Sequence, residues 1–148
     1  MNIVIADGKS LAFEDQLNQL IKLASKLSNE IGFVPACEYR RQAKRSQLLL
    51  LLINNILYGF CSFNIRQKDN IAVIYEIATH PAIRGKGGGK MLINEILKKA
   101  EIIELKCPIN NKSNNFYNKI GKKIRVDDGK KRQLNVWQIT NKTVQGNI

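Results

Sequence analysis

The spacing of apolar and polar positions divides the chain into short strands and a few amphipathic helices. Asn2-Ile3-Val4-Ile5 reads as a first strand, ended by Asp7-Gly8. From Ser10 onward, Leu11, Leu17, Leu20, Ile21, Ala24 and Leu27 fall on one face of a helix, with Ser10 as its cap. Asn29 to Pro35 breaks that helix, and residues 36–45 form a second, basic one. Gln47 to Ile53 is a buried strand. Asn54-Asn55 turns it back into Ile56 to Ile65, with Gly59 marking a bulge. A turn at Lys68-Asp69-Asn70 leads into a strand over Ile71 to Ala78. Met91, Leu92, Ile96 and Leu97 then recur at helical spacing, which predicts a helix over 90–100. Ile102 to Cys107 is the next strand and 112–120 a short helix. Ile124 to Val126 and Leu134 to Ile139 close the pattern as a hairpin around Asp127-Asp128-Gly129. The polar tail, 140–148, is expected to fray. Helices and strands mixed in this order make an α/β (α+β) chain, and no repeat, linker or low-complexity block interrupts it.

Composition sets bounds on this picture. A chain of 148 residues is expected to form a single domain over 1–148, large enough to bury about two-thirds of its unfolded surface. With 44% hydrophobic and 24% charged residues it is ordinary for a globular protein. The longest apolar run, Leu48 to Ile53, is strand-sized, so no membrane association is expected. The N-terminus lacks a basic-then-apolar signal pattern, which points to a cytoplasmic protein. Cys37, Cys61 and Cys107 are odd in number and lack metal-ligand spacing; reduced structural cysteines and no metal are expected.

Charge changes the picture more. The net charge is +12, and residues 1–35 contribute −1 of it (three Lys against four acids) while the rest carries 21 basic against 8 acidic residues, or +13. Two clusters stand out: Arg40, Arg41, Lys44, Arg45, and Lys122, Lys123, Arg125, Lys130, Lys131, Arg132. Such a field favours acidic partners, nucleic acid among them, through salt-sensitive contacts. It equally serves solubility and attraction of an anionic small molecule, and no aromatic residues are interleaved with the clusters.

The densest chemical signal lies between the strand ending at Ala78 and the helix beginning near Lys90. Gly87, Gly88 and Gly89 together weaken a helix start by roughly 1 kcal/mol each relative to alanine. Bare backbone there suits close approach of a ligand, and the helix dipole favours an anion. Arg84, Lys86 and Lys90 add positive charge, so the stretch reads as a phosphate or pyrophosphate cradle. A Walker loop does not fit, because Arg84 stands at the first glycine position and Met91 follows Lys90. The dinucleotide fingerprint does not fit either, because Lys90 occupies its third glycine position.

Arg84, Gly87 and Gly89 do satisfy Arg/Gln-x-x-Gly-x-Gly/Ala directly after a strand. The stretch resembles the acetyl-CoA pyrophosphate loop of the GNAT superfamily of N-acetyltransferases. A second stretch agrees: Asn110, Phe116, Tyr117, Lys119 and Gly121 fall on the family spacing Asn-x-x-Ala-x-x-Phe/Leu-Tyr-x-Lys-x-Gly-Phe. Ser113 replaces its alanine, and Lys122 its last phenylalanine. The match covers most of 47–139; the N-terminal third agrees in layout only.

The resemblance implies a GNAT fold: one mixed, mostly antiparallel sheet, splayed at its centre and flanked by about four helices. It implies acetyl-CoA as cosubstrate and transfer of the acetyl group to a primary amine by direct attack in a ternary complex. Cofactor contacts would come from Ile77, Ala78 and Thr79, from Arg84, Gly85, Lys86, Gly87, Gly88, Gly89 and Lys90, and from Asn110 and Tyr117. An ammonium with a pKa of about 10 must lose a proton before it attacks, and the thiolate leaving group must gain one. Tyr117 matches the family's general acid. Glu76 is the first choice of base, and strand alternation sends it to the acceptor cleft or to solvent; Glu104 and His80 are weaker choices. Phe33 and Tyr39 are the substrate-pocket candidates. The acceptor is left open among a small amine, a peptide amine and an aminoacyl-tRNA, and the assembly between monomer and homodimer. Two other readings stay open: a catalytically silent acyl-CoA-binding module, and a basic nucleic-acid-binding protein on a GNAT-like fold.

Overall fold

The computed structural model describes residues 1–146. Seven strands form one mixed sheet in the order β1-β2-β3-β4-β5-β7-β6. The strands are β1 (Asn2–Ile5), β2 (Leu48–Ile53), β3 (Ile56–Ile65), β4 (Ala72–Thr79), β5 (Ile102–Pro108), β6 (Lys122–Asp128) and β7 (Gln133–Thr140). The helices are α1 (Phe13–Lys26), α2 (Ser28–Ile31), α3 (Ala36–Lys44), α4 (Gly88–Leu97), α5 (Asn114–Ile120) and α6 (Asn141–Gly146), with a 3-10 turn at Pro81–Ile83. The chain resolves into two compact units: Met1–Phe63 with Glu76–Glu95, and Asn64–Tyr75 with the chain from Ile96 onward. β4 begins in the second unit and ends in the first.

In the first unit, β1 and β3 flank β2 in antiparallel register, Val4↔Leu50 on one side and Leu50↔Phe60 on the other. Leu48, Leu50 and Leu52 pack with Phe13, Leu17 and Leu20 of α1 and with Tyr39 and Ala43 of α3. Leu49 and Leu51, on the opposite face of the same strand, are also fully buried. Burial on both faces is why the strand is an unbroken leucine run rather than an alternation. Between Leu51↔Gly59 and Leu52↔Leu57 the register slips by one residue, so Tyr58 is the extra residue of a bulge beside the expected Gly59. A Cβ on Gly59 would stand 2.9 Å from the Ala78 carbonyl oxygen, so only glycine lets β4 lie that close.

In the second unit, β4 runs parallel to β5 through Ala72↔Ile103, Val73↔Glu104 and Ile74↔Leu105. β5 pairs antiparallel with β7 from Ile102↔Thr140 to Pro108↔Leu134, and β7 carries β6 on its far side. Ile103, Leu105 and Cys107 are buried, whereas Glu104 and Lys106 alternate to the other face. There Arg66, Glu104, Arg125, Asp127 and Lys106 form a chain of ion pairs.

Several expectations are corrected. Ser10 does not cap α1, whose N-cap is Ala12; the Ser10 hydroxyl instead accepts the Ala12 N–H within the preceding turn. The break after α1 contains the short helix α2. The helix expected from Lys90 starts two residues earlier, at Gly88. The tail does not fray over 141–146: it forms α6, where Thr140 and Thr143 exchange side-chain and backbone hydrogen bonds and the Thr143 hydroxyl donates to the Ile120 carbonyl. Residues 147–148 lie outside the described residues.

Candidate active site

The first unit carries the glycine turn. β4 ends at Thr79, and the His80 N–H donates to the Tyr58 carbonyl at 2.7 Å. The His80 Nδ1 accepts the Ala82 N–H at 3.0 Å, which caps the 3-10 turn. That imidazole is spent on backbone, the structural alternative to a base. Gly85 and Gly87 have φ of +79° and +87°, and a Cβ on either would meet nothing within 4 Å. Their backbone thus turns through the left-handed region while facing open space. Gly88 is different: a Cβ there would stand 2.9 Å from Leu51 Cδ2 and 3.2 Å from Ile83 Cδ1. Gly87 and Gly88 therefore serve different purposes, and for Gly88 the close neighbour is the protein's own core. The Met91 N–H closes the first helical bond on the Gly87 carbonyl at 3.0 Å. The N–H groups of Gly88, Gly89 and Lys90 precede it, in the turn where helix geometry offers no earlier carbonyl. Lys86 and Lys90 are exposed around this turn, and the exposed Arg84 guanidinium donates to Glu30 of α2 at 2.9 Å.

Just upstream, Ile77 and Thr79 are half-buried and Ala78 is buried in the core. Glu76 does not reach solvent, one of the two places its alternation allowed. It is 7% exposed and faces inward, where the Tyr39 hydroxyl donates to its Oε1 at 2.9 Å. Its Oε2 is enclosed with no hydrogen-bond partner among the described residues. Burial raises the Glu76 carboxyl above its ordinary value, and the Tyr39 hydrogen bond opposes that rise. Tyr39 and Cys61 are both pushed up by burial and by the Glu76 charge, so both stay neutral beside it.

The two pocket candidates part company. Phe33 is 86% exposed on the loop before α3. Tyr39 is 1% exposed, its ring edge-on to Phe60 at 5.8 Å, and it presents no surface to an acceptor. A helix residue aimed at the sheet is covered by that sheet, and a lone tyrosine in sequence gives no sign of which way it faces.

The second unit carries the other motif. Asn110 is exposed in the turn after β5. Tyr117, on α5, is buried between Phe116, at a ring separation of 5.5 Å, and Trp137, at 6.3 Å. Tyr117 is the more buried ring of the pair, Phe116 being half-buried. The residue that sets this corner is Asn114, which sequence reasoning passed over. Its amide nitrogen donates to the Pro108 and Asn111 carbonyls, both at 2.8 Å. Its oxygen accepts from Trp137 Nε1 at 2.9 Å and Asn135 Nδ2 at 3.1 Å. The signal was present: a single tryptophan in the core needs a partner for its indole N–H. Glu104 lies 3.7 Å from Arg66 and 3.5 Å from Arg125, an ion-paired setting rather than that of a free base. Among the described residues no cluster of His, Cys, Asp or Glu could hold a metal ion, and no helix is long and apolar enough to cross a membrane.

The architecture is an α/β fold with one mixed sheet, whose fourth strand leads through a glycine turn into a helix. The acetyltransferase (GNAT) family model matches residues 16–121, and the chain belongs to that family. Comparison with curated protein sequences gives no match. Among solved structures the fold is similar to aminoglycoside 6′-acetyltransferase type Ii, with a TM-score of 0.75 at 14% identity over 95% of this chain and 97% of that one. It is also similar to a chain of the NatC complex bound to Gag peptide and CoA (TM-score 0.71, 17% identity, 95% and 99% covered). A third is ribosomal-protein-alanine N-acetyltransferase from Brucella melitensis (0.67, 14%, 95% and 99%). At such identities the likeness is one of fold.

Proposed function

We propose that this protein is an N-acetyltransferase that uses acetyl-CoA to acetylate a primary amine by direct attack in a ternary complex. The observation that carries the reading is the turn at Gly85 and Gly87, two positive-φ glycines facing open space at the start of α4. That cradle fits a pyrophosphate: bare N–H groups at a helix start, with Lys86 and Lys90 exposed beside them. Acetyl-CoA, when bound, supplies the activated acyl group as a thioester. The backbone of Ile77, Ala78 and Thr79 holds the pantetheine arm, with an N–H near Ala78 polarising the thioester oxygen. Asn110 contributes to cosubstrate binding.

Glu76 is the base in this reading. An enclosed carboxylate oxygen with no protein partner is costly to keep, and an incoming ammonium, directly or through water, would satisfy it. Its raised pKa brings it nearer to working pH, as a base requires. Tyr117 gives a proton to the departing thiolate. The acceptor classes kept open are a small amine, a peptide amine and an aminoacyl-tRNA; the named substrates of similar folds include an aminoglycoside and a ribosomal protein. The test is CoA release from acetyl-CoA across a panel of these three classes, with and without salt. Release with at least one class supports the reading. Binding of CoA without release from any would favour a silent acyl-CoA-binding module, and tRNA binding that falls steeply with salt, without acetylation, a nucleic-acid-binding role.

A further inference from the structure

We propose that Tyr39 is the positioning residue of this site: its hydroxyl fixes the Glu76 carboxylate through one oxygen and leaves the other to the acceptor amine. The assignment rests on the reading of Glu76 as base. Tyr39 projects from α3 and Glu76 from β4, 37 residues apart in sequence, and the 2.9 Å hydrogen bond between them is buried. Tyr39 is itself immobilised, at 1% exposure and edge-on to Phe60 with an interplanar angle of 84°. Its phenol is held well above the ordinary tyrosine range by burial and by the Glu76 charge, so it remains a donor wherever the carboxylate exists. A fixed donor on Oε1 selects one rotation of the carboxyl group and directs Oε2, which has no partner among the described residues, to a single place. Two more enclosed oxygens of the same unit, Gln42 Oε1 and Ser62 Oγ, also lack a hydrogen-bond partner among the described residues.

The titratable groups facing Glu76 are the Tyr39 phenol from α3 and the Cys61 thiol from β3, and both are neutral where the carboxyl titrates. Tyr39 therefore acts on Glu76 as a hydrogen-bond donor and not as a charge. Its bond favours the ionised carboxylate against the burial that disfavours it. Removing the hydroxyl should raise the carboxyl's titration midpoint and move the acid limb of the rate profile to higher pH.

The experiment compares wild type with Tyr39→Phe, which keeps the ring and deletes the donor. Carboxyl carbon NMR of the protein alone reads the Glu76 midpoint, and kcat/KM against pH reads the limb. Tyr39→Phe is expected to shift both upward, with about a tenfold loss of kcat/KM on the acid side that narrows as pH rises. A fluorinated tyrosine at position 39, a stronger donor, is expected to move the midpoint downward. A midpoint that stays put in both variants, in protein whose melting confirms folding, overturns the inference. Failure of the underlying reading looks different: Glu76→Gln would keep its activity and its acid limb, whatever Tyr39 does to the midpoint.

Discussion

Replacing Gly87 by alanine separates the two reasons a glycine can be required in this turn. The perturbation adds one methyl group at a φ of +87°, where it meets no protein atom within 4 Å. In the protein alone the penalty is therefore conformational, about 1–2 kcal/mol for an L-residue held in the left-handed region. For a chain of this length that corresponds to a melting-temperature loss of roughly 2–8 °C. If the proposed cradle is right, CoA binding carries a second penalty, because the methyl group would occupy space next to the N–H groups assigned to the pyrophosphate. Losing one hydrogen bond to a charged oxygen is worth about 1.5–3 kcal/mol, or roughly 10- to 150-fold in Kd. Gly88→Ala is the internal comparison. Its methyl would press on Leu51 and Ile83 inside the core, at 2.9 and 3.2 Å. Overpacking of about 1–3 kcal/mol should lower its melting temperature as much or more, while CoA affinity changes less. Calorimetric titration of CoA into each variant, beside melting without ligand, reads both quantities. Gly87→Ala binding CoA as tightly as wild type, despite a lowered melting temperature, would refute the cradle and leave only a strained turn.

Three further outcomes follow from the side chains. Tyr117→Phe is expected to slow turnover about tenfold or more with CoA affinity little changed, measured by steady-state CoA release; equal kcat would remove Tyr117 as the acid. Glu76→Gln should stabilise the fold at neutral pH, because burial raises the folded carboxyl above its unfolded value near 4.5. Below that value both states are protonated and the charge contributes nothing. As pH rises through it the unfolded chain ionises first, so the wild type loses stability until the folded carboxyl ionises too. The melting gap between variant and wild type should accordingly widen upward from the ordinary carboxylate range and then level off, and a gap constant with pH would contradict this. Asn114→Ala strands the indole N–H of Trp137, a buried residue. The loss of about 1–3 kcal/mol should appear as a melting decrease of roughly 2–12 °C with altered tryptophan fluorescence; unchanged melting would mean the indole finds another partner.

Local pattern carried most of the element list. β1, β3 and β4 lie within a residue of their expected bounds, because strands are delimited by turn residues the eye can find: Asp7-Gly8, Asn54-Asn55 and Asn70. Asn54, Asn55 and Asn70 all adopt positive φ, the conformation for which asparagine is suited. α6 escaped detection because it lacks an apolar stripe; its start is fixed by the Thr140–Thr143 pair and the Ile120 carbonyl, a contact between residues 23 positions apart.

The glycine turn and the family it marks were legible from residues 84–90 and 110–121, since backbone freedom and helix starts are properties of consecutive residues. What those residues do in the fold was decided elsewhere. Gly87 and Gly88 are identical letters, yet one faces open space and the other a leucine of β2. Tyr39 and Phe33 are equivalent candidates in sequence; packing buries one and exposes the other. The support for proposing Glu76 as base comes from the fold, where α3 brings a hydroxyl to one of its oxygens and the second is enclosed without a partner among the described residues. Desolvation and orientation arise from residues distant in sequence, so a carboxylate's reactivity is written in the tertiary structure even when its position is written in the chain.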